Sequence, residues 1–370
     1  MKIFANKNQT YFGTRKHRVK LMNVKRIATL LTFAVCFAGA CRAMTVPPPR
    51  ATFPDASGDV RGIAFSPDGK RLAISTGQLI KIWEWESGKG TGREIASIQG
   101  GIGAAFSTDG TLLAFPGQDE NYSDGLLIWD IAANKKKLFI ADDNVQSPAF
   151  SPDGKNIAAA VGSRVKIWKL AAGEELAILK DGHKCSITAI VYASTGKALI
   201  SADGKGTILY WDLSVPAPVK KGEYKPSTEE AVVNSLTSSP DGKWIAASTG
   251  TGEILVLDAT TLTVDGTIKG HKDGLRVKSV AFSPDNKTLA SACSGIEDLE
   301  IKLWDASSRL PILGFVGHQD GVNCVAFSPD GKWLATGSDD KSAKVWELAA
   351  LYAMVAPKPE KKKEKPKPQE

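Results

Sequence analysis

The sequence predicts an all-β fold in which one four-stranded antiparallel unit is repeated seven times around a common axis. The first observation behind this prediction is a phrase of the type Phe-Ser-Pro-Asp-Gly-Lys-x-Leu-Ala, which recurs seven times in the 370 residues at intervals of 41 to 46 residues. Intervals of about 40–45 residues are typical of repeats that each form one small sheet. The fourth residues of the seven copies are Asp68, Asp109, Asp153, Thr195, Asp241, Asp285 and Asp330.

The second observation is a tryptophan phrase that follows every copy of the first. The residues before the tryptophan are β-branched, aliphatic or aromatic, and such residues are enriched in strands. The phrase therefore predicts a strand rather than a helix. Its central positions are Trp83, Trp129, Trp168, Trp211, Leu257, Trp304 and Trp346.

The order of elements within a unit is clearest in the last repeat. Val322–Phe327 predicts an innermost apolar strand, and the Ser-Pro-Asp-Gly sequence that begins at Ser328 predicts a turn, since Pro fixes φ and Gly supplies a positive φ. Residues 333–336 return antiparallel, the strand of Trp346 follows, and other units add an outer strand such as Glu175–Leu179. These strands are apolar on both sides, so each sheet must be covered on both faces. Radial packing satisfies that requirement.

A third element, Gly-His, precedes the first phrase in three units, at His183, His271 and His318. The combination of Gly-His and Trp-Asp at this period resembles the WD-repeat (WD40) family. The resemblance covers residues 51–348 and implies a seven-bladed β-propeller of four-stranded antiparallel blades. Because no outer strand follows Trp346, we expect residues 50–53 to complete the last blade and to close the ring.

The distribution of charge argues against a nucleic-acid-binding protein. The chain carries a net charge of +7, but residues 1–40 hold eight Lys and Arg without any Asp or Glu, and residues 357–370 hold six Lys against three Glu. The body between them has 33 basic and 37 acidic residues, a net charge of −4. Binding to DNA or RNA depends on a basic surface, which this body lacks.

The N-terminal segment resembles a bacterial export signal. Fourteen uncharged residues, 27–40, follow Lys25 and Arg26 and end in small residues. A bilayer-spanning helix needs about 20 apolar residues, so this run is too short to span, and its order matches a secretory signal. A start at Met22 gives a signal of ordinary length. We therefore expect an upstream extension at residues 1–21 and a signal peptide at residues 22–40.

Cys41 follows Ala-Gly-Ala, which resembles the lipobox of bacterial lipoproteins, although Ala38 stands where Leu is usual. The resemblance implies lipidation of Cys41, an exported periplasmic or cell-envelope protein, and membrane attachment through the lipid alone. Ordinary cleavage on either side of Cys41 is the alternative. We expect residues 41–50 to be a linker and residues 349–370, rich in Lys, Pro and Glu, to be a disordered tail.

The resemblance also implies hydrogen-bonded tetrads that brace individual blades. A tetrad contains the histidine of Gly-His, a Ser or Thr, an Asp and the tryptophan. Two complete sets are predicted, and in a third set, with His183, Ser201 and Trp211, Lys205 stands where Asp is expected, so that tetrad should be broken. The complete sets are His318, Thr336, Asp340 and Trp346, and His271, Ser291, Asp298 and Trp304.

A histidine near Ser and Asp also suggests a hydrolytic triad, but the same set recurs at blade spacing, whereas a catalytic triad occurs once. The sequence contains no His-Glu-x-x-His, Gly-x-Ser-x-Gly, Cys-x-x-Cys or phosphate-binding glycine loop. We therefore expect no catalytic residue, no metal and no cofactor. The prediction is a non-enzymatic scaffold; the alternative is an exported propeller hydrolase or lyase with a site at the axial channel.

In this family one rim of the ring usually binds partners, and recognition must use residues that do not repeat from blade to blade. Two loops on that rim are enlarged, at residues 117–125 and 294–300. We expect a protein or peptide partner, no nucleic acid, and a monomeric propeller. The predicted partner-binding residues are Tyr122, Glu120, Lys184, Arg276 and Asp339.

Overall fold

Seven four-stranded antiparallel sheets follow one another along the chain, each with its first strand innermost. The computed structural model describes residues 32–35, 42–54, 58–86, 90–227, 232–271, 275–295 and 300–356. Three strands precede the first complete sheet: β1 (Thr32–Val35), β2 (Arg42–Thr45) and β3 (Ala51–Phe53). β1 and β2 pair with each other in a separate two-stranded sheet.

The blades are numbered in chain order, and their strands run from the innermost to the outermost. Blade 1 contains β4 (Gly62–Phe65), β5 (Arg71–Ser75), β6 (Leu79–Glu86) and β7 (Thr91–Gln99). Blade 2 contains β8 (Ala105–Phe106), β9 (Leu112–Gln118), β10 (Asp124–Asp130) and β11 (Lys135–Ala141). Blade 3 contains β12 (Val145–Phe150), β13 (Asn156–Val161), β14 (Arg164–Lys169) and β15 (Glu175–Leu179).

The second half of the ring follows the same plan. Blade 4 contains β16 (Ile187–Tyr192), β17 (Ala198–Asp203), β18 (Ile208–Asp212) and β19 (Val219–Tyr224). Blade 5 contains β20 (Val233–Ser238), β21 (Trp244–Thr249), β22 (Glu253–Asp258) and β23 (Val264–Lys269). Blade 6 contains β24 (Val277–Phe282), β25 (Thr288–Cys293), β26 (Glu300–Asp305) and β27 (Pro311–Val316), and blade 7 contains β28 (Val322–Phe327), β29 (Trp333–Ser338) and β30 (Ala343–Glu347).

The fourth strand of blade 7 comes from the other end of the chain. β3 pairs antiparallel with β30, Ala51 opposite Val345 and Phe53 opposite Ala343. The backbone N–H of Arg50 adds a hydrogen bond of 2.7 Å to the carbonyl of Val345. The predicted fold, with seven antiparallel blades and a ring closed by an N-terminal strand, is confirmed.

The core lies between neighbouring blades. The second strands are the most deeply buried, and all six residues of both β17 and β25 are buried. Apolar clusters join one sheet to the next; one of them packs Ile200 of blade 4 against Ile245 and Leu257 of blade 5. The small Ala and Ser residues of the repeated phrase thus lie where the faces of two sheets approach closely.

The turn after the innermost strand is held by a serine–aspartate clamp. In blade 2, the Ser107 hydroxyl donates to Asp109 over 2.5 Å and accepts the backbone N–H of Leu112 at 2.9 Å. These bonds, from the Ser107 hydroxyl first and then the Thr111 N–H, lower the pKa of the Asp109 carboxyl. The same Ser–Asp hydrogen bond occurs in six blades. Blade 4 has Ala193 in place of the serine.

The C-terminal boundary differs from the sequence prediction. A short helix, α1 (Leu348–Ala353), follows β30, and its Leu351 is fully buried against blades 6 and 7. The hydroxyl groups of Tyr352 and Thr288 form a hydrogen bond of 2.8 Å. The prediction that a disordered tail begins at residue 349 is therefore wrong, because the apolar residues of α1 dock on the propeller. Residues 357–370 lie outside the described residues.

The predicted signal and linker lie mostly beyond the part of the chain that the structure describes. Cys41 is outside it, as are residues 1–31 and 36–40. Within the predicted linker, Arg42–Thr45 form a strand instead of irregular backbone. Among the described residues, no helix is both long enough and apolar enough to cross a membrane.

Candidate functional site: one rim of the ring and its histidine tetrads

Two sets of loops meet at one face of the ring, because neighbouring strands run antiparallel. One set leads into the innermost strands, and the other joins the second and third strands of each blade. We call this face the upper rim. It comprises Arg61, Arg276 and residues 76–78, 100–104, 119–123, 142–144, 162–163, 180–186, 204–207, 250–252, 317–321 and 339–342.

The tetrad of blade 7 lies just beneath the upper rim. His318 Nδ1 is 2.9 Å from Asp340 Oδ2, and its Nε2 is 2.7 Å from Thr336 Oγ1. The indole N–H of Trp346 donates to the same Thr336 oxygen over 2.9 Å. The structure thus brings together all four residues of the first predicted set.

The donors and acceptors of this tetrad fix one arrangement of protons. The Asp340 carboxylate can only accept, so His318 Nδ1–H donates to it; on a neutral ring Nε2 then accepts from the Thr336 hydroxyl, whose oxygen accepts the Trp346 N–H. Burial lowers the pKa of His318, outweighing Asp340, so the ring is neutral. Burial tends to raise the pKa of Asp340, but bonds from His318 and Ser342 bring it well below its usual value.

The tetrad of blade 6 is only partly within the described residues. His271 Nε2 is 2.7 Å from Ser291 Oγ, and the Trp304 indole N–H donates to the same oxygen over 2.8 Å. Asp298, the predicted fourth member, lies outside the described residues. Three members of the second predicted set therefore meet in space.

Blade 4 contains a tetrad that the sequence analysis judged broken. His183 Nε2 is 2.7 Å from Ser201 Oγ, to which Trp211 also donates, but Nδ1 is 3.0 Å from the carboxylate of Asp203. Asp203 comes two residues before Lys205, and the turn lets its carboxylate reach the histidine from the other end. The prediction that Lys205 breaks this tetrad is therefore wrong.

The glycines before His271 and His318 each have a packing reason. A Cβ atom on Gly317 would lie 2.5 Å from the ring of Trp346, and one on Gly270 would lie 2.5 Å from the ring of Trp304. Only glycine lets the chain pass so closely over the indole. The Gly-His element therefore serves packing and hydrogen bonding within a blade. The His318 side chain is 0 % exposed, so a substrate in solvent does not reach it.

Two predicted partner-binding residues lie in the blade 2 loop of the upper rim. Strands β9 and β10 extend further than expected, which shortens this loop to residues 119–123. Asp119 holds it by accepting the backbone N–H groups of Asn121 and Ser123, both at 2.9 Å. Tyr122 has a φ of 60° and is 84 % exposed, beside a cavity of about 660 Å³. Glu120 forms an ion pair with Lys136.

Lys184 lies on the upper rim at a second place, in the loop that enters blade 4. It lines a cavity of about 590 Å³ together with three other lysines, Lys205, Lys220 and Lys225. Glu223 in the same cavity pairs with Lys225 at 3.1 Å and with Lys220 at 3.5 Å. This part of the rim is basic, whereas the blade 2 part is rich in Asp.

Arg276 directly precedes the innermost strand of blade 6, and Asp339 accepts a hydrogen bond of 2.6 Å from Asn323 on the innermost strand of blade 7, so both lie at the mouth of the axial channel. Sequence analysis missed two residues there: Lys278, which interacts electrostatically with Arg276 and Asp339, and Arg61, which interacts with Lys278. Lys278 and Arg61 belong to blades 6 and 1, far apart in sequence. Each directly follows a buried valine, Val277 or Val60, but no local pattern in the sequence brings the two positions together.

This mouth bears on the enzymatic alternative. A hydrolase or lyase centred on the channel calls for several converging carboxylates, but Asp339 is accompanied here by three cations. Within the described ranges, no three His, Cys, Asp or Glu side chains are grouped so as to hold a metal ion. The geometry thus favours recognition over acid–base chemistry.

The profile of the family described as WD domain, G-beta repeat matches residues 48–84, 173–212, 221–258, 263–305 and 310–347, which is just over half of the chain. The unmatched stretch between residues 84 and 173 contains the outer strand of blade 1, all of blade 2 and the first three strands of blade 3. Neither blade 2 nor blade 3 has a Gly-His element or a tetrad hydroxyl.

Curated relatives extend the comparison. The chain is 29% identical over 230 residues to Periodic tryptophan protein 2 of Arabidopsis thaliana, covering 60% of this chain and 24% of that protein. It is 26% identical over 265 residues to the Serine-threonine kinase receptor-associated protein of Gallus gallus, covering 70% and 71%. It is 26% identical over 309 residues to the Nuclear distribution protein PAC1 of Arthroderma otae, covering 78% and 59%. The chain thus spans from a quarter to under three quarters of these relatives, and it belongs to the WD-repeat family.

Proposed function

We propose that this protein is a non-enzymatic scaffold that presents its upper rim to a protein or peptide partner. The observation that carries the proposal is the concentration of non-repeating residues on that rim. Tyr122, Lys184 and Arg276 are exposed there, and two cavities of about 660 and 590 Å³ open beside the first two. The repeating polar residues are instead buried in tetrads. Aromatic and arginine side chains are the usual anchors of protein interfaces.

The relatives support the same class of function. One is named as a protein associated with a serine-threonine kinase receptor, and none of the three names denotes an enzyme. Their partners are not carried over to this chain, because the similarity is low and covers each of the three proteins only in part.

Affinity capture with single variants tests the proposal. Tyr122→Ala and Arg276→Ala remove exposed side chains, so each should change the free energy of unfolding by about 0.5 kcal/mol or less. Loss of an interface anchor typically costs about 2 kcal/mol of binding, so capture of partners from membrane extracts should fall by more than tenfold. Capture is read by quantitative mass spectrometry.

Lys332→Ala is the matched control. Lys332 lies in the turn between β28 and β29, on the face opposite the upper rim, and its side chain is 73% exposed. It should keep the wild-type set of captured proteins. If Tyr122→Ala and Arg276→Ala also kept that set, the upper rim would not be the partner face.

The location of the protein is a separate proposal. The order of residues 22–41, with basic, apolar and small residues in turn, supports export followed by lipidation of Cys41. Palmitate should label the wild type and not Cys41→Ser. A cytoplasmic protein that keeps residues 25–40 contradicts export. We also propose a monomer, which sedimentation of the purified chain tests.

A further inference from the structure

Tyr122 stands between two cavities of the upper rim. The cavity of about 660 Å³ lies between the loops of blades 1 and 2, and a second cavity of about 470 Å³ lies between the blade 2 loop and the link to blade 3. Tyr122 and Asp124 line both of them. Because the Tyr122 side chain is 84 % exposed, its ring is available to a ligand that enters either cavity.

The wall of the larger cavity is largely backbone. Four glycines line it, among them Gly100 and Gly117. A Cβ atom on Gly100 would lie 2.7 Å from the ring of Phe115, and one on Gly117 would lie 2.6 Å from the side chain of Leu127. Packing behind the wall therefore excludes side chains at these two positions, and the cavity stays open.

Every charged side chain in the two linings is acidic. The larger cavity has Asp119 and Asp124, and the smaller one has Asp142 and Asp143 beside Asp124. Asp142 forms an ion pair of 2.5 Å with Lys166, so its charge is already balanced. The other three carboxylates give both cavities a negative charge.

The partners of these carboxylates are neutral. Asp119 accepts two backbone N–H groups of its own loop, and Asp124 accepts a hydrogen bond of 3.0 Å from the side-chain amide of Gln118. Among the described residues, Asp119, Asp124 and Asp143 form no ion pair. All lining residues lie within 58–86 and 90–227, where the structure describes the chain without a gap, so the residues that adjoin them in sequence are described as well.

We propose that the cleft at Tyr122 binds an arginine side chain of a basic partner peptide. This inference rests on the proposed function, in which the upper rim is the partner face. A guanidinium group stacks on an aromatic ring and donates N–H groups to carboxylates, so it matches Tyr122 together with Asp119 or Asp124. A metal ion would use the carboxylates alone, but among the described residues no three such groups are placed to hold one.

The test uses the full-length protein and labelled peptides measured by fluorescence anisotropy. One peptide alternates glycine with arginine, and a second has citrulline in place of each arginine, which keeps the planar group but removes its charge. The arginine peptide should bind, with a Kd that rises with salt concentration. The citrulline peptide should bind more weakly by about tenfold or more. Equal binding of the two peptides overturns the proposal.

Competing occupants are tested in the same assay. Tighter binding of a peptide that alternates glycine with lysine overturns the assignment of arginine. Tighter binding of a peptide with the sequence of residues 357–370 overturns an external partner, since the lysine-rich end of this chain would then be the occupant. Stronger displacement by calcium chloride than by sodium chloride at equal ionic strength indicates a metal site and also overturns the proposal.

Variants of the cleft test where the arginine peptide binds. Tyr122→Ala removes the stacking surface and should raise the Kd by about threefold or more, whereas Tyr122→Phe should keep it within about twofold. Asp124→Asn removes a charge but keeps an acceptor for Gln118, and it should raise the Kd by about threefold or more. Glu174→Gln is the matched control, because Glu174 lies in the turn between β14 and β15 on the opposite face and is 61% exposed. A Kd unaffected by Tyr122→Ala and Asp124→Asn overturns the site, and so does an equal rise in Glu174→Gln.

Partner capture with the same variants separates this inference from the proposed function. If Asp124→Asn keeps the partner that Tyr122→Ala and Arg276→Ala lose, the arginine site fails while the upper rim remains the partner face. If no rim variant changes capture, the proposed function itself fails.

Discussion

Blades 4, 6 and 7 and blades 1, 2, 3 and 5 build the same four-stranded sheet around different interiors. In the first group, the register position of Thr336 holds a hydroxyl that joins a histidine to a tryptophan. In the second group the same position is apolar and buried, occupied by Ile74, Phe115, Ala159 and Ala247. The sheet therefore does not depend on the tetrad, which is one of two ways to fill the same space.

The second group shows what an incomplete replacement leaves behind. In blade 1, the indole N–H of Trp83 and the hydroxyl of Ser75 are buried and make no hydrogen bond to a described residue. An unsatisfied buried polar group costs about 1–3 kcal/mol. In blade 2, Trp129 instead stays partly exposed and donates to Asn134 over 3.3 Å, while Phe115 fills the interior. Replacing only part of the tetrad thus leaves buried polar groups without partners in blade 1, whereas blade 2 avoids this cost with an apolar interior.

The largest expected effect contrasts the two groups directly. His318→Ala leaves the Asp340 carboxylate and the Thr336 hydroxyl buried without their partner, so the free energy of unfolding should fall by about 2–3 kcal/mol. Trp129→Phe in blade 2 removes only a long, partly exposed hydrogen bond and should cost less than about 1 kcal/mol. Urea denaturation monitored by circular dichroism measures both. If both variants lost a similar free energy of unfolding, the tetrad would not stabilise its blade more than the apolar interior stabilises blade 2.

A second comparison tests the tetrad of blade 4. Asp203 accepts hydrogen bonds from His183 and from the backbone N–H groups of Lys205 and Thr207. Asp203→Ala should therefore lower the free energy of unfolding by about 2 kcal/mol. Lys205→Ala removes an exposed side chain and should cost less than about 1 kcal/mol. A larger loss from Lys205→Ala would show that the carboxylate has been assigned wrongly.

The pH dependence of stability follows from His318. Its folded pKa is below the ordinary 6.5, so the unfolded chain takes up a proton first as the pH falls. Stability is therefore lost below about pH 6.5, by up to about 1.4 kcal/mol per pH unit. His318→Gln removes this loss. Urea midpoints at pH 7, 6 and 5 should show the difference between wild type and variant shrinking as pH falls, and a constant difference contradicts the neutral histidine.

Asp340 adds a separate effect at lower pH. Its carboxyl has a depressed pKa in the folded state, so it stabilises the protein above the unfolded value near 4 and loses that contribution as the pH falls further. The two groups therefore act in different pH ranges, and the measurements between pH 7 and 5 report on the histidine.

The smallest expected effect concerns the one blade without a serine–aspartate clamp. Ala193→Ser combined with Thr195→Asp installs the clamp in blade 4 and should raise the free energy of unfolding by about 0.5–1 kcal/mol. Ser151→Ala in blade 3 removes the corresponding hydroxyl, which contacts Asp153 and the N–H of Asn156, and should lower it by about 1 kcal/mol. Thermal unfolding of both variants measures the pair. A double variant less stable than wild type contradicts the assigned role of the clamp.

Most of the fold could be predicted from the repeated phrases, because each phrase specifies a local structure for a physical reason. Ser-Pro-Asp-Gly closes a turn through its own side chains, and the tryptophan phrase pairs with the strand before it. The blade 7 tetrad followed from the family resemblance, in which Asp340, four residues after Thr336, takes the place of the expected Asp. In blade 4 the same rule failed, because Asp203 reaches the histidine from the opposite end of the turn.

Long-range juxtapositions were beyond the sequence alone. Lys278 and Arg61 come together only because the ring closes between them, and no local pattern links blades 6 and 1. The helix after β30 was missed for a related reason. The helix has few apolar residues, among them Leu348 and Leu351, and so short a segment does not by itself predict a helix. These residues are buried because they pack against blades 6 and 7.

The pairing of β3 with β30 also imposes an order on biosynthesis. Ala51–Phe53 emerge early, whereas their partner strand ends at residue 347. At about 5–20 residues per second, the first strand waits roughly 15–60 s for its partner to be made. During that interval Ala51–Phe53 have no strand to pair with, and the blades already made cannot close into a ring. The ring is therefore completed only after nearly the whole chain has been translated.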